Sequence, residues 1–427
     1  MLPGLSDISL PPMHLVRQRF ASSAIADVAA AVRAQFARPE IAGRIRRGQR
    51  VAVAVGSRGI ADLPILVATT VAELERLGAI PFIVPAMGSH GGATADGQRG
   101  VLASLGVTEE SAGAPIRSAM DVTTLGRLRW DGTAYARDDA NGTIPICVDA
   151  AAWADADLIV PIARIKPHTG FRGPVESGLC KMLAVGLAKH IGCAGLHRQG
   201  YARFAALIPA AAAVVLSSGR VPFSLAVVED AHDRSAVVEA VPGESTLARE
   251  TELLTSARAM LPRILLPRID VLVVERIGKD VSGVGMDANV IGRSELGRLP
   301  GFDGPDIARI VVLGLTETTH GNATGIGFAD IITQSCFDAV DRRTTWTNVL
   351  TSGSLNGGKI PLAMSSEREA ILAAASCVPG VDARDARIVR IRDTLRLDHL
   401  AVSENLLPLV RTSADLAVIG PFAGWPD

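Results

Sequence analysis

Short runs of apolar, mostly β-branched residues alternate with segments of helical periodicity through the first half of the chain. The intervening segments 64–77 and 94–105 have apolar residues at helical spacing, with Pro64 in a first turn and Thr94 at an N-cap position. This alternation predicts βαβ units and a mainly parallel sheet. The predicted strands are residues 51–55, 80–84, 158–162, 224–228 and 237–241.

Three segments of the first half add detail to this pattern. Residues 127–148 form short apolar runs around Asp-Gly and Asn-Gly turns, which predicts a β-hairpin insertion. A helix is predicted for residues 175–190. The alanine-rich residues 205–216 predict a buried helix, too short for the roughly 20 residues that a membrane-spanning helix needs.

The pattern starts again near residue 269 with a second α/β unit. Prolines at 262 and 267 indicate a boundary, so we predict two α/β domains with mainly parallel sheets, residues 1–262 and 263–427. It is left open whether the last segment returns to the first domain. The predicted strands are 271–275, 310–315 and 388–391, with helices around Ala329, Arg343 and Glu367.

Composition limits the class of protein. Hydrophobic residues make up 48% of the 427, and charged residues 20%, which indicates a protein with a large interior. The net charge is −1 and the basic residues are scattered, so neither nucleic acid nor a membrane is expected as partner. Five cysteines without paired spacing and a start unlike a signal peptide predict a cytoplasmic protein with free thiols.

Candidate chemistry is concentrated on loops that follow predicted strands. Residues 166–197 contain three of the chain's eight histidines, and His168 follows the strand 158–162 closely. The glycine-rich loop 88–92 carries His90, and the corresponding loop of the preceding unit carries Arg58. Carboxyl ends of neighbouring parallel strands meet at one edge of a sheet, so a guanidinium and imidazoles could share one crevice. Such a set can bind a carboxylate beside an acid or base.

Simpler interpretations compete with this one. A single glycine loop is often a surface turn, Arg58 could form a surface ion pair, and Lys181 and Lys189 could lie on a solvated helix face. The common motifs of metalloproteases, serine hydrolases and P-loop enzymes are absent from the sequence. Residues 283–288 break the dinucleotide-binding pattern. A conventional NAD enzyme or serine hydrolase is therefore disfavoured.

Two local motifs and one spacing coincide between about residues 50 and 200. The segment 88–94 is similar to a G-x-H-x-x-x-T loop, and Ser177-Gly178-Leu179-Cys180-Lys181 is similar to S-G-G-x-K. His197 follows Lys181 by sixteen residues. In this combination the chain resembles the nickel-pincer lactate racemase family.

The resemblance implies a cofactor and a role for each matched residue. The cofactor is the nickel-pincer nucleotide, pyridinium-3-thioamide-5-thiocarboxylic acid mononucleotide with nickel. Lys181 would hold it as a thioamide, His197 would bind the nickel, and Ser177, Gly178 and Lys279 would contact the cofactor. His90 and His168 would be the paired acid and base groups, and Arg58 would bind the substrate carboxylate.

The implied activity is that of an isomerase, a racemase or epimerase of a 2-hydroxy acid that works by reversible hydride transfer. The first loop reads Gly56-Ser57-Arg58 where the family has D-x-T-R-P, and Leu179 replaces a glycine of S-G-G-x-K. These differences imply a divergent branch acting on a small 2-hydroxy acid other than lactate. A cofactor cleft between the two domains, with Lys279 reaching it from the second, and dependence on the host's cofactor-synthesis enzymes are also implied. A homo-oligomer is left open.

Two other classes of function remain at this stage. His90, His168 and His197 could together hold zinc in a hydrolase, since catalytic zinc sites have three protein ligands and an open position. Alternatively, the chain could be a catalytically inactive homologue that binds a small molecule.

Overall fold

The structure is a computed structural model that describes residues 8–57 and 59–426. Within these residues the strands, labelled β1 to β18 in chain order, are Met13–Gln18, Arg50–Val55, Ile80–Pro85, Val122–Trp130, Tyr135–Arg137, Ile144–Asp149, Leu158–Arg164, Phe223–Glu229, Ser235–Pro242, Arg268–Ile277, Arg293–Ser294, Gly297–Arg298, Asp306–Leu315, Ile331–Thr333, Leu362–Met364, Ile388–Ile391, His399–Ser403 and Leu416–Pro421. The helices, labelled α1 to α15, are Val28–Ala37, Pro39–Ala42, Leu63–Arg76, Ala95–Ser104, Glu109–Ala112, Ala150–Asp155, Leu179–Lys181, Lys189–His197, Phe204–Leu216, Thr246–Met260, Ala288–Ile291, Gln334–Asp338, Arg342–Ser352, Glu367–Ser376 and Leu407–Thr412.

A five-stranded sheet of order β3-β2-β7-β8-β9 organises the unit Ala21–Leu261. Its first four strands are parallel, and β9 pairs antiparallel with β8. Alternate residues of β2 enter two different hydrophobic cores, one on each face of the sheet. Burial on both faces explains why these strands read as continuous apolar runs in the sequence. All five strands predicted for this part of the chain are confirmed.

The second unit, Met1–Phe20 with Pro262–Asp427, contains an eight-stranded sheet of order β15-β14-β13-β10-β16-β17-β1-β18. Strands β15, β14, β13, β10 and β16 are parallel, and the remaining three are antiparallel. The predicted fold class, two α/β domains with mainly parallel sheets, is confirmed. The domain bounds differ at the N-terminus, because β1 pairs with β17 and β18 and not with the first sheet. The last segment, β18, stays in the second unit.

Several predicted elements take another form. The insertion at 127–148 is a three-stranded antiparallel sheet of order β5-β4-β6 rather than a single hairpin. The helix predicted around Ala329 is wrong, since a 3-10 turn at Ile326–Phe328 leads directly into β14. The helices predicted around Arg343 and Glu367 are present as α13 and α14.

The continuous helix predicted for residues 175–190 is also wrong. The helix begins at Leu179, continues as a π-helix through Met182–Gly186, and breaks before α8. The chain bends by 108° between Leu179–Gly186 and Lys189–His197. Lys189 adopts a left-handed conformation at the break, with φ 51°.

None of the described helices is, by itself, both long enough and apolar enough to cross a membrane. The pair Leu179–Gly186 and Lys189–His197 meets those limits of length and composition only when its two bent parts are taken together.

Candidate active site

Three loops follow the carboxyl ends of adjacent parallel strands in the first unit. Strand β2 lies between β3 and β7, and Val55 is level with both Pro85 and Ile162. The loops after β2 and β3 meet, because the Ser57 hydroxyl is hydrogen-bonded to His90 Nδ1. Arg58, the predicted carboxylate-binding residue, falls outside the described residues.

The loop that carries His90 is fixed through its backbone. The buried Gln98 side chain donates hydrogen bonds to the carbonyl oxygens of Gly88, at 2.9 Å, and His90, at 3.3 Å. Thr94 caps α4 as predicted, accepting a hydrogen bond from the Gly97 N–H. A side chain at Gly88, where φ is +60°, would come within 3.1 Å of Cys193 Sγ. The loop therefore packs against α8, and the His90 imidazole is left exposed.

His168 is buried on the loop after β7. Its Nδ1 accepts a hydrogen bond from the Gly170 N–H at 2.9 Å, so the proton of the neutral ring is on Nε2. Its backbone N–H donates to Glu176 Oε2 at 2.6 Å, and Arg258 reaches the other oxygen of Glu176 at 2.5 Å. The buried Glu176 carboxylate thus holds the loop in place.

His197 is the other tautomer, with its ring proton on Nδ1 instead of Nε2. Its Nδ1 lies 2.8 Å from the Cys193 carbonyl oxygen, which can only accept, so Nδ1 carries the proton and Nε2 has a free lone pair. Burial lowers the pKa of His197, the nearby charge of Lys181 lowers it further, and the Cys193 hydrogen bond partly opposes both. A neutral imidazole tied to a backbone carbonyl through one nitrogen is the usual state of a metal-binding histidine.

An aromatic group joins the two histidines. Tyr201 lies with its ring centroid 5.8 Å from that of His168 and 6.0 Å from that of His197. Phe171 stacks on His168 at 4.6 Å, and Phe204 contacts His197 at 5.2 Å. Tyr201 was not among the residues predicted from the sequence, although its position four residues after His197 was a usable signal.

The segment Ser177 to Lys181 lies beside this group. Ser177 pairs with Lys166 through backbone hydrogen bonds of 2.9 and 3.2 Å. A Cβ on Gly178 would come within 2.2 Å of Glu250 Oε1, so glycine is required there. Lys181 is half-buried at the end of α7. Burial raises the pKa of Cys193 and lowers the pKa of His197, and the charge of Lys181 acts on both groups, opposing the first change and adding to the second. Lys181 and His197 therefore lie within electrostatic range of each other.

Lys189 has a structural role instead. It is fully buried, its Nζ lies 2.8 Å from Asp149 Oδ2, and it donates to the Pro85 carbonyl and to Gln98 Oε1. Burial lowers the pKa of Lys189, and the Asp149 charge opposes that change. The neighbouring His190 is exposed. Lys189, at the bend where α8 begins, is thus hydrogen-bonded to Gln98, the residue that holds the His90 loop.

Lys279 belongs to the other unit, on the loop after β10. Its backbone N–H donates to Thr319 Oγ1 at 3.2 Å, and its Nζ donates to the Gly283 carbonyl at 2.8 Å. The side chain is exposed. Its predicted contact with the cofactor stays a prediction.

The zinc site considered above is not formed. Across residues 8–57 and 59–426, no three His, Cys, Asp or Glu side chains are grouped so that they could hold one metal ion. His90, His168 and His197 all lie within these ranges. The arrangement offers instead a single oriented imidazole, His197, next to a lysine.

Comparison with solved structures identifies similar folds. The lactate racemase apoprotein from Thermoanaerobacterium thermosaccharolyticum matches with a TM-score of 0.53 and 14% identity, over 89% of this chain and 94% of that one. A protein from Thermotoga maritima matches with a TM-score of 0.46 and 14% identity, over 69% of this chain and 72% of that one, which is too low to support a conclusion. No protein-family model and no curated protein sequence matches. The chain therefore has a fold similar to that of lactate racemase.

Proposed function

We propose that this protein is a racemase or epimerase of a 2-hydroxy acid that carries a nickel-pincer nucleotide on Lys181. The observation that supports this most is the His197 imidazole, whose Nδ1 is tied to the Cys193 carbonyl so that Nε2 offers a lone pair suited to a metal, within electrostatic range of Lys181. Lys181 and His197 lie on a fold similar to that of a lactate racemase apoprotein. The proposal would place the protein in the cytoplasm of a host that makes the cofactor.

The residues present fit such a group. His197 would be the protein ligand of the nickel, because it offers a single oriented imidazole and imidazole is a ligand that suits nickel. Lys181 supplies an amine for covalent attachment, and Ser177, Gly178 and, from the second unit, Lys279 are the proposed contacts to the rest of the nucleotide. The chemistry supplied by this group, when bound, is reversible acceptance of the α hydrogen together with its bonding electrons.

His90 and His168 manage the hydroxyl proton of the substrate in this proposal. In its neutral form His168 presents Nε2–H, and the Ser57 hydroxyl fixes the orientation of the His90 ring through Nδ1. Each histidine serves one enantiomer, taking the hydroxyl proton in one direction and returning it in the other. His168 can take that proton on Nε2 only after its ring proton moves to Nδ1, which breaks the hydrogen bond from the Gly170 N–H. Arg58 binds the carboxylate with a bidentate pair of hydrogen bonds. The aromatic ring of Tyr201 bounds the site on the side of His168 and His197.

Replacing either acid or base group tests the proposal. We expect His90→Gln and His168→Gln each to lower the rate of inversion at least about 100-fold in both directions, because every turnover requires both groups. The measurement is chiral chromatography of a panel of 2-hydroxy acids, using protein from a cofactor-producing host. His190→Gln is the control. His190 is exposed on α8, so this variant should retain activity. Near-normal inversion by either site variant would contradict the assignment.

Metal analysis tests the nickel ligand. We expect His197→Ala to lose nickel and His190→Ala to retain it. Protonation competes with metal binding, and the pKa of His197 is lowered from 6.5, so wild-type protein should keep its nickel at pH 6.5 and lose it only at lower pH. Metal content after dialysis from about pH 8 down to about pH 5 measures this. Loss of nickel from His190→Ala, or loss already between pH 7 and 6.5, would count against His197.

A further inference from the structure

A fully buried carboxylate that has no part in the proposed chemistry lies at the start of α7. Glu250, on α10, accepts a hydrogen bond from the Cys180 N–H through Oε2 at 2.7 Å and also interacts with the Leu179 N–H. The Cys180 thiol also interacts with this carboxyl group, although Oε1 has no hydrogen bond of ordinary geometry among the described residues. The same oxygen fills the space where a side chain on residue 178 would lie. Glu250 therefore requires the glycine of the S-G-x-x-K segment.

The position of Glu250 is costly for stability. Burial raises its pKa to about 7, although the hydrogen bonds from residues 179 and 180 lower it. A carboxylate whose pKa is raised by burial is unfavourable whenever it is charged. A contribution to stability therefore does not explain why a glutamate is present at position 250. The backbone N–H groups of Leu179 and Cys180, with which Glu250 interacts, indicate a role in holding the local backbone.

Those backbone groups define the turn that ends in Lys181. Helix α7 has only three residues, and its N-cap residue is Gly178, which has no side chain that could cap the helix. Immediately after it, the π-helix Met182–Gly186 is buried throughout. The backbone that carries Lys181 therefore lies between the buried π-helix on one side and the turn bound by Glu250 on the other.

We propose that Glu250 is a positioning residue for Lys181, holding the first turn of α7 so that the amine is presented in a fixed direction and with a fixed reactivity. This inference rests on the proposed role of Lys181 as the cofactor attachment site. Glu250 touches neither substrate nor cofactor in this account. It acts on the lysine through the backbone of Leu179 and Cys180.

Another residue of α10, Arg258, supports the His168 loop and can be compared with Glu250. Arg258, eight residues after Glu250 on the same helix, binds Glu176, which in turn holds the His168 loop. Changes at Arg258 should therefore disturb His168 and not Lys181. Glu252, an exposed neighbour on α10, serves as the matched control for removal of a carboxylate.

The test uses protein without cofactor. Lysines are acetylated with limiting acetic anhydride over a range of pH, and the modification of Lys181 is quantified by peptide mass spectrometry. Amide hydrogen exchange of the segment containing Cys180 is measured in parallel. The variants are Glu250→Gln, Glu250→Asp, Glu250→Ala, Glu252→Gln and Arg258→Lys.

We expect Glu250→Asp and Glu250→Ala to speed exchange at Cys180 roughly tenfold and to shift the pH profile of Lys181 acetylation, because the acceptor is withdrawn or lost. Glu250→Gln keeps an acceptor oxygen within reach and should restore both properties towards wild type. Glu252→Gln and Arg258→Lys should leave Lys181 unchanged. If the alanine variant does not fold, the comparison of Asp with Gln decides.

An unchanged Lys181 profile in Glu250→Asp and in folded Glu250→Ala would overturn the inference. Equal changes in Glu252→Gln or Arg258→Lys would overturn it too, since the effect would then be general loosening. Failure of wild-type protein to acquire an adduct in a cofactor-producing host would count against the proposed function but would not alter these results.

Discussion

Lys181→Ala is expected to leave the protein with neither a nucleotide-sized adduct nor bound nickel when it is produced in a cofactor-making host. Lys181 is half-buried, lies within electrostatic range of His197 and is the lysine of the S-G-x-x-K segment. Lys181→Arg should lose the adduct as well, because a guanidinium keeps the charge but is a poor nucleophile at neutral pH. Intact mass spectrometry and metal analysis measure the two losses, and Lys359→Ala, at an exposed position in the other unit, is the control.

An adduct that persists in Lys181→Ala, or that maps to Lys189, would refute the attachment site. Lys189 is an unfavourable attachment site for the cofactor, because its Nζ is bound to Asp149, Pro85 and Gln98. Attachment there would require this buried group to open.

Lys189→Met is expected to lower the free energy of unfolding by about 3–5 kcal/mol, because it leaves the Asp149 carboxylate buried without its cation. The side chain of Gln98 also loses a partner, so the His90 loop should loosen. Urea denaturation followed by circular dichroism measures the loss.

Two comparisons make this prediction specific. The double variant Lys189→Met/Asp149→Leu removes both charges and should recover a large part of the loss, as apolar replacements of buried ion pairs often do. Arg117→Ala breaks a pair whose side chains are both 44% exposed and should change stability by only about 0–1 kcal/mol. If Lys189→Met costs no more than Arg117→Ala, the buried pair does not have the role given to it.

The strands and the loops after them could be predicted because parallel strands buried on both faces leave a strong local signal. Residues 51–55, 80–84 and 158–162 are continuous apolar runs, and adjacent strands necessarily bring their following loops to one edge. That reasoning anticipated the meeting of the Ser57 and His90 loops. The tautomers of His168 and His197 could not be predicted in this way, because they depend on contacts with Gly170 and Cys193.

The helix break before α8 could not be predicted from local pattern. Residues 175–190 have helical periodicity, yet the chain turns by 108° because Lys189 is held in a left-handed conformation by partners on β3, α4 and β6. These contacts are formed by residues far apart in the sequence. For the same reason the predicted helix 175–190 did not reveal that His197 is the last residue of a separate helix, α8.

The N-terminal strand shows the same limit on a larger scale. Nothing in residues 13–18 indicates that they pair with His399–Ser403 and Leu416–Pro421, nearly the whole chain away. Sequence pattern grouped residues 1–262 in one domain, whereas β1 lies in the sheet that β17 and β18 also form.

The central claim, inversion of a 2-hydroxy acid without release of the α hydrogen, is tested most directly by turnover in D2O. Cofactor-loaded protein is given single enantiomers of a panel of 2-hydroxy acids, and the inverted product is separated and examined by mass spectrometry and proton NMR. We expect an inverted product that retains protium at the α carbon, because the hydrogen removed from one face returns to the other. Substantial deuterium at that carbon, or inversion of none of these acids by protein shown to carry the adduct, would contradict it.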